Sequence, residues 1–152
     1  MKPNDNTLLP DISTTLREFN HHYKESTDIY RTAALKLGLS DSAMEILYSI
    51  VELGNGCLQR DICQITYLPK QTVHSSIQKL VKDGYLLLEP GKGRSMHIQV
   101  TAAGQTLLAN TIYPLIHSEE TAFSCMTQEE RKQFLTLEAK YLASLRKEIE
   151  NW

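Results

Sequence analysis

Between Pro69 and Gly84 the chain carries Lys70, Gln71, Thr72, His74, Ser75, Gln78 and Lys79, a run of polar and cationic side chains with little bulk. Amide, hydroxyl, imidazole and ammonium groups of this kind hydrogen-bond to phosphate oxygens and to base edges. A few residues on, Gly91-Lys92-Gly93-Arg94 sets two further cations on a flexible tip, and Arg60 stands on the outer side of the segment before the run. The same residues would also suit a solvated helix face; the local charge bias and the tip favour contact with a polyanion. Bond-making chemistry has no comparable signal. There is no nucleophile–base motif and no phosphate loop. His21, His22, His97 and His117, with Glu119 and Glu120, lack the tight ligand spacing of a zinc site, so they read as surface groups and no metal or cofactor is expected.

These groups need elements to hold them. Val73, Ile77, Leu80 and Val81 recur at three- and four-residue spacing, which predicts a helix with one apolar face and the polar run opposite. Pro69 suits its first turn, where a missing N–H costs nothing, and Gly84 suits its stop. Tyr85 to Glu89 is β-prone and Pro90 ends it. Met96, Ile98 and Val100 then alternate with polar residues, the period of a half-buried strand. A polar-faced helix followed by a hairpin with a basic tip is the pattern of a winged helix-turn-helix. Its helix enters a major groove and its wing reaches the neighbouring backbone or minor groove.

Net charge is −2, at odds with a polyanion partner until its distribution is read. Residues 1–56 carry 5 Lys and Arg against 8 Asp and Glu, residues 102–152 carry 5 against 7, and only residues 57–101 are net positive, with 6 against 3. That segment holds the helix and the wing, and local sign matters more than the total for such a contact.

The rest of the 152 residues is read as helix. Residues 1–10 look like a loose arm. A long helix is expected from Asp11 to Leu37, with Ile12, Leu16, Phe19, Tyr23, Tyr30, Ala33 and Leu37 on one side, a polar gap at Glu25–Asp28, and Gly38 closing it. Ser40 caps a second helix, Asp41 to Leu53, with Met44, Leu47, Ile50 and Val51 inward. Gly54-Asn55-Gly56 turns the chain. Cys57 to Ile65 is a short helix with a residue or two of strand ahead of it and Leu58, Ile62 and Ile65 on its inner face; Thr66–Pro69 is the turn to the polar-faced helix. Thr101 to Met126 is mostly helix, kinked by Pro114. Thr127 and Glu130 form a capping box for a last helix striped by Phe134, Leu137, Tyr141, Leu145, Ile149 and Trp152. The fold class is therefore mainly α with a small β-hairpin: one domain over 1–152, a winged helix-turn-helix core at 40–101, and helices at 11–37 and 102–152 with more apolar surface than a small core can cover. A homodimer through those helices is the simplest answer, and two-fold symmetry would set two reading helices about one DNA turn, roughly 34–36 Å, apart.

Three stretches, LGLSDSAMEILYSI (37–50), KQTVHSSIQKLVKDGYL (70–86) and GRSMHIQVTAAG (93–104), resemble the second helix, the recognition helix and the wing strand of the MarR family of bacterial transcriptional regulators. The order of elements is similar from about Ile12 to Ile149. The resemblance implies a dimeric, DNA-binding regulator acting on a pseudo-palindromic operator, usually a repressor released by a small aromatic ligand, a metal or oxidation. It implies DNA contacts from Arg60, Lys70, Gln71, Thr72, His74, Ser75, Lys79, Lys92 and Arg94, and places Tyr23, Tyr30, Met44, Tyr48 and Tyr113 on helices that would flank an effector pocket. In one place the chain departs from the family: an Asp usually stands two residues before the wing Arg, and here Lys92 occupies that position, so Arg94 has no such brace.

Cys57, Cys63 and Cys125 have no framework spacing; inert packing outranks redox sensing for them. No apolar run reaches membrane-spanning length and the first residues lack signal-peptide shape, so a cytoplasmic protein is expected. A winged-helix module that binds protein and not DNA is the competing reading, supported by the acidic total.

Overall fold

The computed structural model describes residues 11–152; the arm expected over residues 1–10 lies outside the described residues. The elements run α1 (Thr14–Leu37), α2 (Asp41–Leu53), α3 (Gln59–Thr66), α4 (Lys70–Lys82), β1 (Leu86–Pro90), β2 (Met96–Val100), α5 (Ala102–Asn110), α6 (Ile112–Phe123) and α7 (Gln128–Glu150). They form two compact units, residues 1–105 and 106–152. A mainly helical chain with one antiparallel hairpin is the expected class.

The first unit holds α1 through the wing. α1 starts at Thr14, three residues later than expected, because the Ser13 hydroxyl accepts the Leu16 N–H and fixes the cap there. It runs without a break through Glu25–Asp28 and stops at Gly38 in the left-handed conformation. Ser40 caps α2 by accepting the Ala43 N–H at 3.1 Å. α2, α3 and α4 pack on one another around Ile46, Leu47, Ile50, Ile62, Val73 and Ile77, all fully buried or nearly so. Burying one such side chain stabilises by about 1.5–3 kcal/mol, enough together to hold short helices that would not form alone. Ser76 on α4 donates to Ser42 on α2 at 2.9 Å, a polar tie beside that core.

α3 begins at Gln59 and not at Cys57, because Cys57 and Leu58 are spent on a bridge to the wing. Ile98 N–H donates to the Cys57 carbonyl at 2.9 Å and Gly56 N–H to the Ile98 carbonyl at 2.8 Å, so this short extended piece flanks β2 as a third strand. Ile65, expected on the inner face, is 37% exposed: α3 is only eight residues long and Ile62 alone reaches the centre. The turn after α3 carries Tyr67 at φ 56°, the one non-glycine residue with positive φ among those described. For a side-chain-bearing residue that conformation costs on the order of 1–2 kcal/mol.

β1 pairs with β2 from Leu86↔Val100 to Pro90↔Met96. Pro90 is thus the last strand residue, not the one that stops it; the edge position tolerates its missing N–H. Leu86 and Ile98 turn inward and are fully buried. Thr101 closes the base of the wing: its hydroxyl contacts the Gly84 carbonyl at 2.6 Å and caps the Gly104 N–H at 3.0 Å. Gly104 admits no larger residue, since a Cβ there would collide with the Tyr85 carbonyl.

In the second unit the helix expected to kink at Pro114 breaks earlier, at Thr111. Pro114 has no N–H for the carbonyl of Asn110, and its ring would strike that carbonyl, so the chain restarts there and proline sits in the first turn of α6. Thr127 and Glu130 form the expected capping box at the start of α7, with the Thr127 N–H on Glu130 Oε2 at 2.7 Å and the Glu130 N–H on Thr127 Oγ1 at 3.2 Å. Hydrogen bonding from the Thr127 backbone N–H, and secondarily from the Thr127 side chain, holds the Glu130 carboxyl below its ordinary pKa. Arg131 lies over the Phe123 ring and donates to the Met126 carbonyl, tying the α6–α7 corner. Every residue of α7 is at least partly exposed, including Phe134, Leu137, Leu145 and Ile149.

Candidate nucleic-acid interface

α4 presents its two faces as the spacing requires. Val73, Ile77 and Leu80 are buried, while Lys70, Gln71, His74, Ser75, Gln78 and Lys79 are exposed and Thr72 is half-buried. Pro69 stands at the N-cap, so the N–H groups of the first turn are open to an acceptor, with Lys70 and Gln71 beside them. Helix N-termini attract phosphate through these N–H groups and the dipole. Ser75 donates to the Gln71 carbonyl within the helix at 2.9 Å.

Three of the expected contact residues have side-chain partners. His74 Nδ1 lies 3.3 Å from Gln59 Oε1, which fixes the ring plane and leaves Nε2 outward. Lys79 Nζ pairs with Asp83 at 3.2 Å on the surface, a contact that a phosphate can displace because exposed pairs are weak. Arg60 is exposed beside Asp61 at 3.6 Å, and Asp61 also accepts the Leu58 N–H. Gln59 of α3 is not among the residues the sequence singles out; nothing local signals that it touches α4, 15 residues away.

The wing adds Lys92 and Arg94. Both are exposed, and among the described residues neither has a carboxylate within ion-pair distance, nor does Lys70. Gly91 N–H donates to the Ser95 carbonyl at 2.8 Å and Gly93 takes a positive φ, giving a tight tip. Its base is anchored by His97, whose Nδ1 is 2.7 Å from the Gly56 carbonyl. The His97 ring packs on Gly91 so closely that a Cβ there would sit 2.7 Å from it. In place of an Asp brace on Arg94, this wing is held from below by a histidine.

Residues 37–95, from the end of α1 to the wing tip, match the sequence model of the MarR family. That stretch spans α2, α3, α4 and β1, most of the winged helix-turn-helix. A MarR family regulator from Neisseria meningitidis has a similar fold, with a TM-score of 0.78 at 18% identity over 92% of this chain and 100% of that one. MepR of Staphylococcus aureus, solved in complex with DNA, aligns with a TM-score of 0.68 at 18% identity over 89% and 99% of the two chains. The MarR of the same organism, in complex with salicylate and kanamycin, aligns at 0.66 with 14% identity over 88% and 91%. No curated protein sequence matches the chain. Among the described residues no helix is long and apolar enough to cross a membrane.

The five residues placed around an effector pocket are dispersed in character. Met44 is buried in the core, Tyr48 is half-buried, and Tyr23, Tyr30 and Tyr113 are exposed, Tyr23 at 70%. Tyr113 belongs to the second unit and the other four to the first. All three cysteines are free. Burial, and secondarily the Asp61 carboxylate, push the Cys57 thiol above its ordinary pKa, which disfavours the reactive thiolate there.

Proposed function

We propose that this chain is a MarR-family transcriptional regulator that binds duplex DNA as a homodimer on a pseudo-palindromic operator and represses transcription until an effector is bound. The observation that carries DNA binding is the conjunction, within one net-positive segment, of an open α4 N-terminus and a wing tip with two unpaired cations. Lys70, Gln71, Thr72, His74 and Ser75 read bases; Arg60, Lys79, Lys92 and Arg94 hold the backbone. The MepR–DNA complex supports this by likeness of fold.

Dimerisation is supported by the exposed apolar side chains of α7 and, separately, of Leu16 and Tyr23 on α1 with Ile12 just ahead of it, surfaces that a second copy would cover. An effector acts if it binds one spacing of the two reading helices better than the other. The salicylate complex of the staphylococcal MarR supports a small aromatic ligand. By the resemblance, Tyr23, Tyr30, Met44 and Tyr48 of the first unit and, separately, Tyr113 of the second are the residues to substitute in testing for such a ligand.

The deciding experiment is binding of the purified chain to its own upstream DNA, and to duplexes selected from random sequence, over a salt series with mass measured in solution. The expected result is salt-dependent binding by a dimer. Gln71→Ala relaxes sequence preference, and Lys92→Ala weakens all duplexes alike and flattens the log–log salt slope by about one unit. Failure of a folded dimer to bind any duplex at low salt would sink the proposal and favour a protein-binding module.

A further inference from the structure

The turn between α3 and α4 contains a feature that the fold does not require. Turns of helix-turn-helix units often hold a glycine, which takes the left-handed conformation without strain. Here Tyr67 takes it, at φ 56° and ψ 13°. Its side chain is 83% exposed and makes no hydrogen bond to any described residue. The turn is built by its neighbour: Thr66 Oγ1 donates to the Ile62 carbonyl at 2.8 Å and accepts the Leu68 N–H at 3.2 Å. Tyr67 therefore ends α3 in a strained backbone conformation, exposes an aromatic ring and lends no side-chain hydrogen bond to the turn. Strain held at an exposed position by the surrounding structure marks a functional contact more often than a packing need.

Its place says which contact. Tyr67 precedes the first residue of α4 by three positions, at the entry to the helix whose exposed face would enter the groove. A side chain there meets the sugar–phosphate backbone bordering the groove before it meets a base. We infer that Tyr67 is a DNA-contact residue whose phenolic O–H donates a hydrogen bond to a backbone phosphate flanking the α4 site. The inference rests on the DNA-binding reading above. Being neutral, the hydroxyl displaces no condensed counterion, so its contribution differs from a lysine's: it adds affinity for every duplex equally and leaves the salt slope unchanged.

The test uses the full chain, a duplex selected by the parent protein from random sequence, and an unrelated duplex of the same length. Tyr67→Phe keeps the ring and removes only the hydroxyl. Tyr67→Gly removes ring and strain together. Both are measured by fluorescence anisotropy over a salt series and by thermal melting. Tyr67→Phe is expected to melt as the parent does and to bind both duplexes roughly five- to tenfold more weakly with the same salt slope. Tyr67→Gly is expected to melt at or above the parent temperature and to bind at least as weakly as Tyr67→Phe. Parent-like binding by both variants overturns the assignment of Tyr67 and leaves the DNA-binding reading standing. A loss confined to the selected duplex overturns the phosphate contact, since the hydroxyl would then be reading a base. Absence of binding by the parent protein to every duplex overturns both readings together.

Discussion

α4 and α7 are both striped helices, yet they end in opposite situations. The stripe of α4, Val73, Ile77 and Leu80, is buried within its own unit against α2, α3 and the base of the wing. The stripe of α7 is not: Phe134 is 49% exposed and Leu137 64%, and no residue of the helix is buried. Similar periodicity thus carries two meanings. Where neighbouring elements supply a complementary surface, the stripe becomes core; where they do not, it is an unfinished interface. The winged helix should be stable at any concentration, and the state of α7 should depend on how much protein is present.

The sharpest way to break this contrast is Ile77→Ala. It removes a fully buried side chain from the centre of the α2–α3–α4 core and should cost about 3 kcal/mol in urea unfolding, at every protein concentration. A loss that shrinks as protein is concentrated would mean that the core also depends on a partner.

Next in size is Leu145→Glu on α7. It should weaken self-association at least a hundredfold, about 2.8 kcal/mol, seen as a halved mass by light scattering while helical circular dichroism persists. An unchanged mass would remove α7 from the proposed dimer interface.

Ser40→Ala should cost about 1 kcal/mol, because the Ala43 N–H at the start of α2 loses its acceptor. The comparison is sharpened by Thr127→Ala at α7, which removes the Oγ1 acceptor of the Glu130 N–H and leaves the backbone N–H of residue 127 to bond the Glu130 carboxylate. It should fray an exposed helix and leave the melting of the winged helix in place. Hydrogen exchange of the two helices separates these outcomes.

The smallest expected effect is on pH. The Glu130 carboxyl is depressed in the folded chain, so its stabilisation is present above the unfolded carboxylate pKa and lost as pH falls through the lower folded value. The loss should be confined to the start of α7 and absent from Glu130→Gln. Cys57 acts with the opposite sign at the alkaline end. Its thiol is raised, the folded chain keeps a proton that the unfolded chain gives up, and stability falls as pH rises from the unfolded thiol pKa toward the folded one. Cys57→Ala should flatten that alkaline limb in a melting series.

What could be read from the residues alone was whatever is decided within about one helical turn. Ser40, Gly38, the Thr127–Glu130 box and the α4 stripe act over three or four positions, and each lands where its chemistry puts it. The winged helix-turn-helix and its net-positive face follow from those signals in order. Only the tertiary structure decided the rest. The start of α3 moved because Leu58 was claimed by the wing, and His97 reaches a Gly56 carbonyl 41 residues away. Gln59 fixes His74 across two helices. Pro114 broke its helix at Thr111 and not at itself, through a carbonyl one turn back. Tyr67 looks like any exposed aromatic until its φ is known. Such features depend on which distant groups the folded chain brings within hydrogen-bonding or van der Waals reach, and sequence spacing carries no record of that distance.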